Sequence, residues 1–355
     1  MEILKKYGLT PFFEQQAQLF DSLQLARVIE QHRDLYQVIT QNGEIKATVS
    51  GKFAYNITHS TDFPAVGDWV MIDCANSTAI IHQVLKRKSA FMRKSAGTEI
   101  SAQQIVAANI DIIFICMSLN EDFSLRRLER YMTAAWDSMA VPVVVLTKAD
   151  LCSDIQTKLS EIAPISIGAD IIVCSAINGY GYNEVVKHIN SGQTIAFIGS
   201  SGVGKSTLIN RLMGKDILDT NEIKKDGTGK HTTTHRQLLL LPDGGIVIDT
   251  PGMRELQLSS ANITKSFEDI ETLANACRFR DCTHNTEPNC AVKEAIENGD
   301  LKKERLESYK KLQKEISYMS LNSHQIEQEK IKNMFGSVAK MKQAMNYVKD
   351  KNKHR

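Results

Sequence analysis

The residues best placed to do chemistry together are Gly199 to Thr207, GSSGVGKST, which follow the apolar run Thr194 to Ile198 and lead into Leu208, Ile209 and Leu212. Strand, glycine-rich turn, Lys-Ser, then helix is an arrangement that cradles phosphates. Gly199 and Gly204 allow backbone conformations that a side chain would block. Successive N–H groups from Ser200, Ser201, Gly202 and Val203 can then face the α- and β-phosphates at a helix N-terminus. Lys205 is expected to reach the β- and γ-phosphates, Ser206 to offer its hydroxyl to Mg²⁺, and Thr207 to close the loop. The competing reading is a Gly/Ser loop that happens to carry Lys-Ser, and the flanking strand and helix patterns weigh against it.

A site for a triphosphate and Mg²⁺ needs a carboxylate at the end of another core strand. Asp249 stands there in IVIDTPG, with the Gly252 N–H available to a γ-phosphate. A strand-end Asp before a turn is common alone; paired with the phosphate loop it is informative. Guanine recognition needs an acceptor for the ring N–H and the exocyclic amine. Thr147-Lys148-Ala149-Asp150, ending the apolar run VPVVVL, supplies it: Asp150 for the base edge and the Lys148 stem for the base face. Cys174-Ser175-Ala176 ends the next apolar run and fits a backbone loop facing the guanine keto oxygen. Adenine would leave these polar groups unpaired, so GTP is expected over ATP. The guanine motifs precede the phosphate motif, the reverse of the usual order. A circular permutation explains this, because domain termini tend to lie close together. The switch loop that completes Mg²⁺ coordination is expected in GKHTTTH, residues 229–235, with Thr233 as the first candidate ligand and its neighbours Thr232 and Thr234 as the alternatives.

A second constellation is Cys277-x4-Cys282-x-His284-x5-Cys290, three thiolates and one imidazole. Zn²⁺ favours such a tetrahedral set, and four protein ligands make a closed, structural site. Reduced cysteines near a stray histidine are the alternative. Because the segment is short and loop-rich, metal would largely fold it.

These residues need a scaffold, and 355 residues suffice for two or three domains with their own cores. The 42% apolar and 24% charged content suits a globular chain rather than a disordered one. No apolar run reaches the roughly 18 residues needed to span a bilayer, and the first twenty residues lack the pattern of a signal peptide, so a cytoplasmic protein is expected. Cys74, Cys116, Cys152 and Cys174 are scattered and read as core or incidental thiols. Residues 1–24 have weak helical periodicity and read as an arm. Alternating runs separated by turn signals over 25–88 suit an OB-like β-barrel of about five strands. Residues 89–98, within RKSAFMRKSAG, read as a basic linker, with contact to RNA phosphates the alternative. Strand and helix patterns alternate over 99–260, so the central domain is expected to be an α/β circularly permuted P-loop GTPase domain with a mostly parallel sheet. Helical periodicity around the cysteines makes 261–355 an α-helical zinc-binding domain with a basic tail. From Leu301 onward 14 Lys/Arg face 6 Asp/Glu although the whole chain carries only +2, which suits an acidic partner such as nucleic acid or simply a solvated helix.

Taken together, the barrel segment FPAVGDWV, TKAD, GSSGVGKST, GKHTTTH, DTPG and CRFRDCTHNTEPNCAV resemble the bacterial ribosome small-subunit-dependent GTPase A family of circularly permuted GTPases. The resemblance spans nearly the whole chain. It implies GTP hydrolysis with Mg²⁺ and one structural Zn²⁺, stimulated by the small ribosomal subunit late in its assembly and followed by release, with barrel and zinc domain on ribosomal RNA. A monomer is expected. Two residues depart from common GTPase patterns. Thr147 stands where many GTPases have an Asn that ties the base loop to the phosphate loop, so weaker guanine binding is expected. Met253 follows Gly252 where a water-orienting Gln is usual, and a thioether cannot orient water. In line with the resemblance, His231 is the candidate for that task; contact with RNA or the loop backbone is its other reading. Met253 also keeps open an RNA-binding assembly or translation factor in which hydrolysis is incidental.

Overall fold

The structure, a computed structural model, describes residues 1–32, 35–75, 78–94, 103–218, 236–249 and 263–319. The chain begins with two short helices, α1 (Glu2–Lys6) and α2 (Pro11–Ala17). The first twenty residues are no loose arm, because Leu4, Leu9 and Phe13 are buried, with the Phe13 ring 5.5 Å from that of Trp69. Five strands follow: β1 (Gln24–His32), β2 (Leu35–Thr40), β3 (Gly43–Val49), then helix α3 (Gly51–Asn56), β4 (Trp69–Ala75) and β5 (Thr78–Val84). They pair in the order β1-β2-β3-β5-β4, and β4 pairs back to β1 to close an OB-like barrel. Alternation places Ala26, Val28, Val38, Ile72 and Ile81 inside, where each is buried.

Residues 89–98 do not form a plain linker. Over their described part they form β6 (Ala90–Lys94), which pairs antiparallel with β7 (Gln103–Ala108). Phe91 explains the difference, since its ring is buried and needs the partner strand against it.

The rest of the chain supplies an α/β domain: β8 (Ile112–Ser118), α4 (Leu125–Asp137), β9 (Val141–Thr147), α5 (Ile155–Ile162), β10 (Asp170–Val173), α6 (Tyr182–Lys187), β11 (Thr194–Ile198), α7 (Lys205–Met213), β12 (Arg236–Leu240) and β13 (Ile246–Asp249). Strand order is β10-β9-β8-β11-β13-β12, parallel except for β12. The β8 and β11 residues are buried on both faces, as helices on both sides of a parallel sheet require. Phe114 and Phe197, paired in register, meet edge to face at 5.1 Å.

Barrel and α/β sheet are continuous, because β1 pairs with β12 through Glu30↔Gln237 and Gln31↔Arg236. A buried arginine reinforces the junction. Arg27 donates from Nε to Gly67 O (3.1 Å), from Nη1 to Tyr7 O (2.5 Å) and from Nη2 to Thr194 Oγ1 (2.8 Å). One side chain thus ties together the N-terminal helices, the barrel and the edge of β11. Burial lowers its pKa to about 10.

The last described region is helical: α8 (Ile263–Ser266), α9 (Glu268–Asn275), α10 (Ala291–Glu297) and α11 (Lys303–Met319). It docks on α4 through a buried ionic cluster. Arg305 Nη1 donates to Glu129 Oε1 (3.0 Å), its Nε and Nη2 hold both Asp269 oxygens (2.5 and 2.8 Å), and Ser308 donates to Glu129. Phe267 lies under the guanidinium at 4.8 Å.

Candidate functional site

Because β8, β9, β10, β11 and β13 run parallel, their C-terminal ends gather on one edge of the sheet. Gly199 to Thr207 stands in the middle of that edge. Gly199 has φ +146° and runs against β8, where a Cβ would come within 2.3 Å of the Cys116 carbonyl oxygen; no other residue fits there. Helix α7 opens at Lys205, so the N–H groups of its first turn lack intrahelical partners and face the loop. Lys205 Nζ folds across the loop and donates to Gly199 O and Ser200 O, both at 2.7 Å. Ser201 and Gly202 are exposed, Val203 is buried beneath the loop, and Ser206 and Thr207 are half-buried at the helix entrance.

Thr147 ends β9 buried, and its Oγ1 lies 2.5 Å from Val203 O, to which it donates. Threonine here therefore makes a tie between the two loops, as an asparagine does in many GTPases. The shorter side chain still reaches because β9 and the phosphate loop converge on either side of β8. Next to it Lys148 takes a left-handed backbone, φ +58°, which turns the chain so that Asp150 stands exposed. Ala149 N–H donates to Cys174 O at 3.2 Å, stitching this loop to the one after β10. There Ser175 is buried and Ala176 half-buried. Asp249 ends β13; the pairing of Ala196 with Ile248 brings its backbone level with Phe197, two residues before Gly199. Thr147, Lys148, Asp150, Ser175, Ala176, the phosphate loop and Asp249 thus share one edge. His231, Thr233, Gly252 and Met253 lie outside the described residues.

Sequence reasoning missed a polar cluster on the same edge. Asp122, just after β8, accepts from Arg127 Nη1 with both oxygens at 2.8 Å, and its Oδ2 accepts from Ser200 Oγ at 2.6 Å. Arg127 Nη1 also lies 2.8 Å from Ser200 Oγ. Burial works against the Asp122 charge, but the bonds from Arg127 and Ser200 hold its carboxyl below the usual aspartate range. The only hint in the sequence is a carboxylate and an arginine directly after an apolar strand.

The second constellation also converges. The ligand atoms of Cys277, Cys282, His284 and Cys290 all lie within 4.8 Å of one another. Cys277 Sγ is 3.8 Å from Cys290 Sγ and 3.7 Å from His284 Nδ1, which is 3.4 Å from Cys290 Sγ. A tetrahedral ion with bonds of about 2.3 Å to sulfur and about 2.0 Å to nitrogen sets such separations near 3.8 and 3.5 Å, so the donor set fits Zn²⁺. The frame is built for it. His284 adopts φ +57°, Lys310 Nζ donates to His284 O (3.0 Å), and Glu287 accepts from the N–H groups of Thr283, Asn285 and Thr286.

The family model described as RsgA GTPase matches residues 84–259, and one described as 50S ribosome-binding GTPase matches residues 194–335. The small ribosomal subunit biogenesis GTPase RsgA 2 of Lactiplantibacillus plantarum is 53% identical over 98% of both chains. RsgA 1 of Listeria innocua is 44% identical over 89% of this chain and 90% of its own. Among solved structures, YjeQ from Thermotoga maritima matches with a TM-score of 0.61 at 28% identity, covering 83% of this chain and 98% of that one. YloQ, described as a circularly permuted GTPase, shares the fold with a TM-score of 0.60 at 24% identity, over 83% and 95%. On these relationships the chain belongs to the RsgA family of GTPases.

Proposed function

We propose that this GTPase acts in late maturation of the small ribosomal subunit, which stimulates GTP hydrolysis and thereby times the protein's release. The observation that carries the nucleotide half is the Thr147–Val203 contact, which brings a guanine-reading loop and a phosphate loop together across β8. In this reading Asp150 takes the base edge, Lys148 the base face, and the backbone loop that begins at Ser175 and Ala176 faces the keto oxygen. Residues 199–204 cradle the phosphates, and Lys205 exchanges its loop carbonyls for phosphate oxygens. Ser206, Asp249 and Thr233 hold Mg²⁺, which when bound neutralises charge between the β- and γ-phosphates. The Gly252 N–H meets the γ-phosphate and His231 orients water. Cys277, Cys282, His284 and Cys290 hold one structural Zn²⁺.

The ribosomal half rests on the names of the relatives. Those that match the chain almost end to end are named for the small subunit, which favours it over the large subunit named by the model that matches only 194–335. The closed barrel and the cysteine-bearing helical region are the proposed ribosomal RNA contacts, with the lysine-rich segment after Leu301 adding charge. Among the described residues no helix is long and apolar enough to cross a membrane. The test is phosphate release from GTP by the chain alone, with purified small subunits and with large subunits. Stimulation by small subunits only is expected. Unchanged turnover with tight GTP-dependent subunit binding would instead favour the factor whose hydrolysis is incidental, which Met253 suggests.

A further inference from the structure

The loop after β10 folds over an arginine that belongs to another element. Ser175 N–H donates to Tyr180 O at 2.8 Å and Gly179 N–H to Ser175 O at 3.0 Å, drawing the loop into a tight ring. Into it reaches Arg211, in the last turn of α7, the helix that begins at the phosphate loop. Its Nη1 donates to Ala176 O at 2.5 Å, and its guanidinium stacks 4.8 Å from the centre of the Tyr182 ring. Tyr182 OH returns a hydrogen bond to Arg211 O at 3.2 Å. Gly179 makes room for the side chain, since a Cβ there would stand 2.7 Å from Arg211 Nη2, and its φ of +86° disfavours any other residue. The loop is thus shaped around this guanidinium.

A trans peptide carries its carbonyl and the next N–H on opposite edges. Fixing Ala176 O on Arg211 therefore fixes the plane that carries the Ile177 N–H, and polarises that N–H as a stronger donor. Were the plane to flip, a carbonyl would replace the N–H on the opposite edge, and oxygen would face oxygen wherever a keto group sat. We propose that Arg211 is a positioning residue for recognition of the guanine keto oxygen, holding the Ala176 peptide so that the loop presents N–H rather than C=O to the base. This rests on the guanine reading of the site given above. It also means that one helix serves both ends of the nucleotide, with Lys205 and Ser206 at the phosphates and Arg211 behind the base loop. A lysine would reach the carbonyl only as a point charge, without the planar stack on Tyr182.

The test is equilibrium binding of GDP, 6-thio-GDP, IDP and ADP to the full chain and to its Arg211→Ala and Arg211→Lys variants. 6-Thio-GDP weakens the keto acceptor and keeps the amine, whereas IDP keeps the keto group and lacks the amine. Wild type is expected to prefer GDP to 6-thio-GDP. Arg211→Ala is expected to weaken GDP and IDP alike by about 10-fold while leaving 6-thio-GDP nearly unchanged, so that the preference collapses. Arg211→Lys is expected to recover part of it. Equal weakening of GDP and 6-thio-GDP in Arg211→Ala, or no weakening of either, would overturn the assignment while leaving the guanine site intact. Equal binding of ADP and GDP by wild type would instead remove the guanine reading itself, and this proposal with it.

Discussion

The hydroxyl of Thr147 donates to the backbone carbonyl of Val203 across 2.5 Å, joining two loops 56 residues apart in the chain. Both partners are buried, so the bond is not exchanged for one to water. Thr147→Val keeps the shape and leaves the carbonyl unpaired, which costs about 1–3 kcal/mol. GDP affinity measured by titration is expected to fall about 10-fold or more, with Thr147→Ser close to wild type.

Arg305 stands between Glu129 of α4 and Asp269 of α9, and all three are largely shielded from water. Arg305→Met strands two carboxylates, and loss of a buried pair's partner costs about 3–5 kcal/mol. Urea unfolding is expected to show that loss, whereas the triple replacement Glu129→Gln, Asp269→Asn, Arg305→Met is expected to recover much of it. Proteolysis of the Arg305→Met protein is expected to begin in the helical region after Ile263.

Asp122 binds Arg127 and Ser200 at a half-open edge, so solvent discounts the pair to about 1 kcal/mol or less. Asp122→Asn is expected to weaken GDP by no more than about 5-fold. The pH sign follows from the depressed carboxyl: its contribution is full above the ordinary aspartate value of about 3.9 and is lost as pH falls through the lower folded value. The stability gap between wild type and Asp122→Asn is therefore expected to be flat from neutral pH to about 4.5 and to close only below that.

The cysteine cluster predicts its own failure on metal removal. Strong chelation is expected to release one Zn²⁺ per chain and to unfold the residues around Cys277 to Cys290, seen as faster amide exchange there, with the barrel unaffected. Acidification is expected to release the metal as well, because thiolates and a neutral imidazole must be regained from their protonated forms.

What the sequence made legible were contiguous motifs: the phosphate loop, TKAD and the Cys/His spacing each sit within a short window, so residue type and order suffice. The barrel was legible through period-two alternation from β1 to β5. What stayed hidden depends on contacts between distant residues. Glu129 and Arg305 are 176 positions apart, and neither reads as more than a helix-surface charge. Arg211 looks like the usual cation near a helix C-terminus. The β1–β12 ladder rests on two residue pairs between separate domains, below what any local pattern records. Residues 90–94 read as a linker because their lysine and arginine content masked one buried Phe91, and α5 went unread because its apolar face is short.

The most direct test of the site is calorimetric titration of GDP, ADP and XDP against wild type and Asp150→Asn. A carboxylate at Asp150 accepts from the guanine N–H and amine, whereas an amide can donate to the second keto oxygen of xanthine. Wild type is expected to bind GDP at least about 100-fold tighter than ADP or XDP, and Asp150→Asn to lose GDP and gain XDP. Comparable ADP binding by wild type, or an Asp150→Asn protein whose preference is unchanged, would contradict a guanine site at this edge of the sheet.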